Sequence, residues 1–511
     1  MNYAVDSKEM KKIDDYTVEV IKIPALILME RAAMEVALVM KGRIQKTDRI
    51  LAVCGPGNNG GDGIAAGRIL SIQGYQVAIL FIGDEKAATA QTKAQLEIAR
   101  NLGITIDNNK LPEYNIIIDS IFGIGLNRPV TGIQEKIINE INSKDNLVFS
   151  IDIPSGISAD NGKVMNVAVK ANYTITFGHQ KRGLLLYPGA MYAGEVIVAD
   201  IGFPEIATLK AEPDAFYYDA QDLKRLPVRK NNSHKGTFGK VLVIAGSTGM
   251  SGAAYLSAKA AYKTGAGLVK VLTAADNRVI LQTSLPEALY EAYDRDGRDQ
   301  GNWESAIAET LQWASVIVIG PGLGQSDMAK DLMDFVVREA KVPVIIDADG
   351  LNILSKNLDG LGNEVDSRLD YLSNMRKEPT ILTPHLMELS RLMGIPIADI
   401  TNNMIDTADQ CSYNNKLIYA MKDARTLVVH RGSKYINTSG NNGMATGGSG
   451  DVLTGIIAAF IAQGLEPYEA TCLAVYIHGL AGDYAAKEKG TYSLMAGDIV
   501  TSIEKVIGTI I

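Results

Sequence analysis

Cysteine and histidine are scarce in this chain. Its three cysteines, Cys54, Cys411 and Cys472, lie far apart with no CxxC spacing. They supply neither a disulfide framework nor the paired ligands of a structural zinc site. Purely apolar runs, such as Ile456 to Ala462, fall well short of the roughly 20 residues a membrane span needs. The opening stretch MNYAVDSKEMKKIDDYTVEV has no apolar centre of a secretion signal, so the cytoplasm is the expected compartment. Positive charge is not in excess: 50 Lys and Arg against 58 Asp and Glu give a formal net charge of −8. That balance argues against nucleic acid or an anionic membrane as the main partner. An anionic substrate would need local donors, which glycine loops supply through their backbone N–H groups. No internal repeat period is present either.

What is present is an ordinary globular composition, 47% hydrophobic and 21% charged, over 511 residues. At about 150 residues per domain, that length implies two to four domains. Residues 1 to 45 carry apolar positions at helical spacing, Met10, Ile13 and Val18 and then Leu26 to Val39, with Pro24 opening the second helix. Short apolar runs at 49–54, 76–82, 115–120, 147–153, 173–177 and 195–201 read as strands, the earlier ones separated by helical patterns. A helix is expected over 64–73. Alternating strands and helices imply a mostly parallel sheet covered on both faces, with ligands beyond the C-terminal strand ends. Gly55, Gly57 and Gly60 satisfy GxGxxG, and Asp84 follows the next strand, the bare outline of a dinucleotide fingerprint. Asn58, Asn59, Asp62, Asp119, Asp152 and Ser155 also fall at strand ends. With no lysine nearby in the motifs, such oxygens suit a hard cation; alternatively Asp119 and Asp152 cap the following loops.

From 205 to about 232 the pattern loosens into an inter-domain connection. Strands resume at 241–245, 268–272, 316–319, 344–346, 380–382 and 426–429, followed by GSTGMSGAA, GPGLG, DADGLN, TPH and RGSKY. His385, one of five histidines, stands at a strand end, either as a hydrogen-bonded structural residue or as part of a site. The second half is organised around Asn441 to Gly455, NNGMATGGSGDVLTG. Gly447, Gly448 and Gly450 lead into an apolar helix whose N-terminal amides and dipole favour an anion. Asp451, in the first turn, is then a base beside a phosphate or merely a helix cap. The expected fold class is α/β, as two three-layer domains.

The motif GMATGGSGDVLTG resembles the anion-hole signature of the ribokinase-like superfamily, and specifically that of the NAD(P)H-hydrate dehydratase family. SHKGTFGKVLVIAGS, TGMSGAAYLSAKAAYKTGAG, GPGLG, DADGLN and TPHLMELSRL occur in that family's order. The likeness implies a ribokinase-like domain over 225–511. It places substrate contacts on Ala254, Gly324, His385 and Asp451. It places nucleotide contacts on Arg431, Gly432, Ser433, Lys434 and Tyr435 and on Gly447, Gly448 and Gly450. Arg431 stands where a lysine–glycine motif is expected, and Thr383-Pro-His-Leu-Met-Glu388 where the family has TPHPGE. GPGNNGGDG, DSIFGIGLNRPV and SIDIPSGISADNG together resemble the NAD(P)H-hydrate epimerase family, the YjeF N-terminal domain, implying a Rossmann-like domain over 1–210. Met29-Glu-Arg-Ala-Ala33 replaces that family's usual MENAG.

This second likeness puts potassium on Asn59, Asp119 and Ser155. It puts the hydrated nucleotide on Asn58, Asn59, Gly60, Gly61 and Asp62, on Gly123, Ile124, Gly125, Leu126, Asn127, Arg128 and Pro129, and on Asp152, the carboxylate expected to transfer a proton. Together the resemblances imply repair of the NADH and NADPH hydrates. One half would interconvert R and S forms; the other would dehydrate the S form with ADP or ATP, Asp451 as base and magnesium accompanying the nucleotide. Small-molecule partners and a homo-oligomer are expected, without nucleic acid or membrane. A ribokinase-type small-alcohol kinase with an N-terminal nucleotide-sensing domain is the alternative that the glycine–aspartate motif leaves open.

Overall fold

The computed structural model describes residues 1–107, 113–293, 303–356, 365–413 and 416–508. The chain forms two compact units, Asn2–Phe216 and Tyr217–Ile511, with Met1 grouped with the second. Both are α/β with largely parallel sheets, the expected class.

In the first unit seven strands are all parallel, in the order Thr105–Asp107, Gln76–Phe81, Arg49–Cys54, Ile116–Ser120, Leu147–Ile151, Tyr173–Phe177 and Glu195–Ala199. Alternate residues of one strand feed two cores, because successive side chains point to opposite faces. Ile50, Ala52 and Cys54 pack with Val36, Ile64 and Leu96 from helices on one side. Leu51 and Val53 pack with Ile137, Ile138 and Ile141 on the other. Three layers follow from that alternation. A short strand not expected from sequence, Asn2–Val5, pairs in parallel with Gln180–Lys181.

The glycine-rich segment after Arg49–Cys54 departs from expectation. The helix begins at Asn58, not Ile64, with Gly57 extended at its N-cap. Close packing overrides the poor helix propensity of glycine here. A Cβ on Gly60 would sit 1.8 Å from Gly55 O, and one on Gly63 would sit 1.9 Å from Ser120 Oγ. These glycines let the helix lie against the sheet. Asp84, the acidic mark of the bare dinucleotide outline, caps a short turn through Lys86 N at 2.9 Å.

The second unit contains a sheet ordered Leu289–Tyr293, Leu268–Ala274, Lys240–Ile244, Val316–Ile319, Val344–Ile346, Thr380–Leu382, Leu417–Met421, Leu427–His430 and Ser433–Ile436. The first seven are parallel and the last two antiparallel. Leu289–Tyr293, Leu417–Met421 and Ser433–Ile436 were not expected from sequence. The helix Ser449–Ala462 is apolar nearly all round because it is buried. It approaches the helix Ser251–Lys263 so closely that a Cβ on Gly455 would meet Ser257 O at 2.1 Å. The segment expected to be a loose connection is largely ordered: helix Glu205–Ala211, strand Ala215–Tyr217 and a turn at Ala220–Arg225 capped by Asp219.

Candidate active sites

A cleft of about 750 Å³ opens at the C-terminal strand ends of the first unit. Asn58, Asn59 and Asp62, the loop from Gly123 to Arg128, and Asp152 all line it. Gly60, Gly61 and Pro129 are not among its lining residues. Gly60 and Gly61 are buried in the helix packing, where a Cβ on Gly61 would strike Met29 Cε at 2.6 Å. Lysine does reach the site, contrary to the motif-based expectation: Lys181, 1% exposed, forms an ion pair with Asp152 Oδ1. It also donates to Thr176 Oγ1 at 2.9 Å and Phe177 O at 3.1 Å, which accounts for its three N–H donors. Asp152 has φ +67, a region costly for a residue with a side chain. Its N–H donates to Ile175 O at 2.7 Å, and Thr176 Oγ1 donates to its Oδ1 at 3.2 Å. Burial, then the charges of Asp152 and Asp14, push the Asp62 carboxyl well above the usual carboxylate range. Asp14 is likewise raised by burial, then by Asp15 and Asp152.

Beside this cleft lies a set of oxygens. Asp119 is fully buried and accepts from Ser150 Oγ at 2.7 Å and Ser155 N at 2.9 Å. Burial raises its pKa against those bonds. Ser155 Oγ accepts from Phe122 N at 2.9 Å, and Asn59 Nδ2 donates to Phe122 O at 2.9 Å. Asn59 Oδ1 is buried with no hydrogen-bond donor among the described residues. An unanswered buried carbonyl is costly unless something satisfies it.

In the second unit the parallel strand ends converge on the start of the helix Ser449–Ala462. Gly448, at φ +89, turns the chain into that helix. Among the described residues, the N–H groups of Gly447, Gly448, Gly450 and Asp451 have no hydrogen-bond acceptor, while Ser449 N reaches Thr446 O at 3.4 Å. Loop residues Gly440 and Asn441 are tied to Asp483, by Gly440 N at 2.9 Å and Asn441 Nδ2 at 2.9 Å. The Asp451 carboxyl is raised to about 7, first by burial, then by Asp347; Lys422 opposes the shift. Asp347, 1% exposed, accepts from Lys422 Nζ at 2.7 Å and Thr383 Oγ1 at 2.7 Å through Oδ1. A Cβ on Gly450 would come 3.1 Å from Lys422 Nζ and 3.5 Å from Asp347 Oδ2. Glycine thus leaves this corner open.

His385 caps the helix Leu386–Met393: its Nδ1 accepts from Met387 N at 3.1 Å and Glu388 N at 3.2 Å. With Nδ1 an acceptor, the ring proton is on Nε2, which lies 3.2 Å from Glu388 Oε1. Burial, then Lys422, holds its pKa below the ordinary value. Gly324, at φ +75, donates its N–H to Asp349 Oδ2 at 2.8 Å on the same rim. Ala254 is fully buried beside Gly246.

The expectation for Arg431 to Tyr435 is corrected. Arg431 and Gly432, at φ +49 and +82, form the turn between the antiparallel strands Leu427–His430 and Ser433–Ile436. Since Leu427–His430 runs against Leu417–Met421, this turn lies at the sheet end opposite Asp451. Lys434 and Tyr435 are buried, and Lys434 Nζ lies 2.6 Å from Asp409. The cation at the rim is instead Lys422, at the end of a strand that sequence reading missed. The AMKDA segment after LIY is its only trace: apolar residues leading to Lys422 and Asp423.

Two α/β units, one with open helix-end amides beside a raised carboxyl and one with a carboxylate-lined cleft, mark the chain as an enzyme with a candidate small-molecule site in each. Residues 241–505 match the family model described as NAD(P)H-hydrate dehydratase, and 25–183 match that of the YjeF-related protein N-terminus. A bifunctional NAD(P)H-hydrate repair enzyme of Thermofilum pendens is 36% identical over 98% of this chain and 95% of its own. The chain belongs to the bifunctional NAD(P)H-hydrate repair enzyme family. Among solved structures, a ribokinase-like superfamily protein of Enterococcus faecalis is 30% identical, covers 58% of this chain and 96% of its own, and has a TM-score of 0.49. An ADP/ATP-dependent NAD(P)H-hydrate dehydratase of Bacillus subtilis, co-crystallized with ATP and Mg2+, is 27% identical, covers 57% and 98%, and has a TM-score of 0.47.

Proposed function

We propose that this enzyme restores hydrated nicotinamide nucleotides. It interconverts the R and S hydrates of NADH and NADPH and dehydrates the S form at the expense of ADP or ATP. We assign epimerisation to residues 1–210 and dehydration to 225–511. The observation that carries the dehydratase assignment is the open amides of Gly447, Gly448, Gly450 and Asp451 beside a carboxyl raised to about 7. Asp451 takes the proton of the C6 hydroxyl as that oxygen attacks the terminal phosphoryl group, and the amides stabilise the charge that develops there. The ring nitrogen's lone pair then expels phosphate to form a C6–N double bond, and loss of a C5 proton to solvent restores the 5,6 double bond and returns the pair to nitrogen. Lys422, close to both Gly450 and Asp347, adds a fixed positive charge beside the transferring group.

The nucleotide would be accompanied by magnesium. Asp347 Oδ2, which no described residue engages, and the Asp349 carboxylate are hard oxygen donors suited to it, and it would neutralise phosphate charge. In the first unit, the unanswered Asn59 Oδ1, with Asp119 and Ser155, suits potassium, which would anchor the anionic substrate. Asp152 moves the proton during epimerisation. The assay is direct: mixed epimers are incubated with and without ADP or ATP, and dihydropyridine absorbance is followed. Full recovery with nucleotide is expected; a stable phosphoester in place of inorganic phosphate would favour a small-alcohol kinase.

A further inference from the structure

Two carboxyls in the first unit's cleft are treated in opposite ways by their surroundings. Asp152 is paired with Lys181, whose remaining N–H donors are spent on Thr176 and Phe177. Its Oδ1 is thus held, while Oδ2 has no partner among the described residues. Asp62 lies in the helix Asn58–Ile72, past the end that a cap could reach, and its carboxyl makes no hydrogen bond among the described residues. Lys181 makes its hydrogen bonds elsewhere and offsets only part of the charge around Asp62. Lys8, Lys11 and Asp14 from the helix Ser7–Asp15, with Arg128 and Asp160, are the other charged groups on the cleft wall. Of all these, the groups felt at Asp62 are Asp152, Asp14 and Lys181, two like charges against one spent cation. Asp62, buried beside two carboxylates, favours its acid form, while Asp152 is ion-paired with Lys181 and leaves Oδ2 open toward the same cleft, so one carboxyl is placed to give a proton and the other to take one. The strand Ile116–Ser120 separates, in sheet order, the strands that lead to these two residues.

We propose that Asp62 and Asp152 work as a pair across the substrate's C6, Asp62 as the acid for one face and Asp152 as the base for the other. This deepens the epimerase reading and rests on it. C6 of the hydrate bears both the hydroxyl and the ring nitrogen, so inversion requires no C–H bond to break. The C6–O bond breaks with its electron pair going to oxygen, and the Asp62 proton turns the departing group into water. The nitrogen lone pair closes a C6–N double bond, leaving a planar cation. Solvent water then bonds to C6 from the opposite face, the π pair returns to nitrogen, and the surplus proton passes to Asp152. Asp62 ends as carboxylate and Asp152 as acid. The reverse conversion runs with the roles exchanged, or solvent restores the starting protonation.

The test uses the full chain and a single purified epimer, with chromatographic separation of R and S forms in ¹⁸O-water. The wild type gains one ¹⁸O at C6 per inversion. Asp62→Asn lowers the epimerisation kcat by at least about 10² with KM within about threefold, the loss of an acid rather than of a contact. Asp62→Glu recovers part of the rate. Dehydration of the pure S form with ADP reports whether each variant is folded. Epimerisation by Asp62→Asn at the wild-type kcat, a loss confined to KM, or inversion without ¹⁸O would overturn the pairing. A wild-type chain that leaves the epimer ratio untouched would instead refute the epimerase assignment itself.

Discussion

At the scale of single residues, the poised group is Asp451. Its folded pKa, about 7, is above the unfolded value, with burial the largest cause and Asp347 next. The fold therefore holds a proton that the unfolded chain releases. That contribution to stability is fully present below about pH 4 and is lost as pH rises through about 7. Asp451→Asn is accordingly expected to raise the unfolding midpoint at pH 8, read by thermal denaturation, while dehydration falls by more than about 10². An unchanged dehydration rate would remove Asp451 from the mechanism. Lys422 opposes the upward shift, so Lys422→Met should move the rising limb of the dehydration kcat/KM profile to higher pH. A limb that stays in place would mean that Lys422 does not act on Asp451. Asp451 was legible in sequence because the glycines beside it and the apolar run after it are local signals. Lys422 was not, since its partner Asp347 is 75 positions away.

At the scale of elements, the helix Asn58–Ile72 shows what glycine does here. A Cβ on Gly63 would fall 1.9 Å from Ser120 Oγ and 3.2 Å from Cys54 Sγ, inside the buried sheet face. Gly63→Ala should destabilise the first unit by about 1–3 kcal/mol, as overpacked cores do, and should tilt Asn59 and Asp62 away from the cleft. Differential scanning calorimetry and the epimerisation rate test this together; a wild-type melting curve would show that the helix can shift at no cost. Periodicity placed most strands within a residue or two, because fully buried apolar runs are a strong signal. It missed Leu417–Met421, which ends without a glycine turn, and Ser433–Ile436, where serine and lysine interrupt the apolar pattern. With those strands went the hairpin's direction, and hence the misplacement of Arg431 to Tyr435. The same limit applies to Asn58–Gly63, where glycines suggest a loop and packing imposes a helix.

At the scale of the whole molecule, each unit carries its own sheet and its own site. A polypeptide of residues 1–216 is expected to fold and to interconvert the epimers without nucleotide, followed by chromatography of R and S forms. A mixture that keeps its starting ratio would refute that independence. In the full chain, Asp152→Asn should restore only the S fraction when ADP is supplied, leaving R hydrate behind. Among the described residues no helix is long and apolar enough to cross a membrane, in line with the short apolar runs of the sequence.

Local signals in the sequence sufficed for the α/β class and for two halves, and they drew attention to the residues whose neighbours along the chain announce them: Asp451 with its glycines, Asn58, Asn59, Asp62, Asp119 and Asp152. Tertiary structure alone decided which charges face one another. Lys181 meets Asp152, Lys422 meets Asp347, and the hairpin carrying Arg431 points away from the rim. The physical reason is that backbone preference and apolar period act over a few residues. Electrostatic partnership depends instead on distances that exist only after the strands are laid side by side.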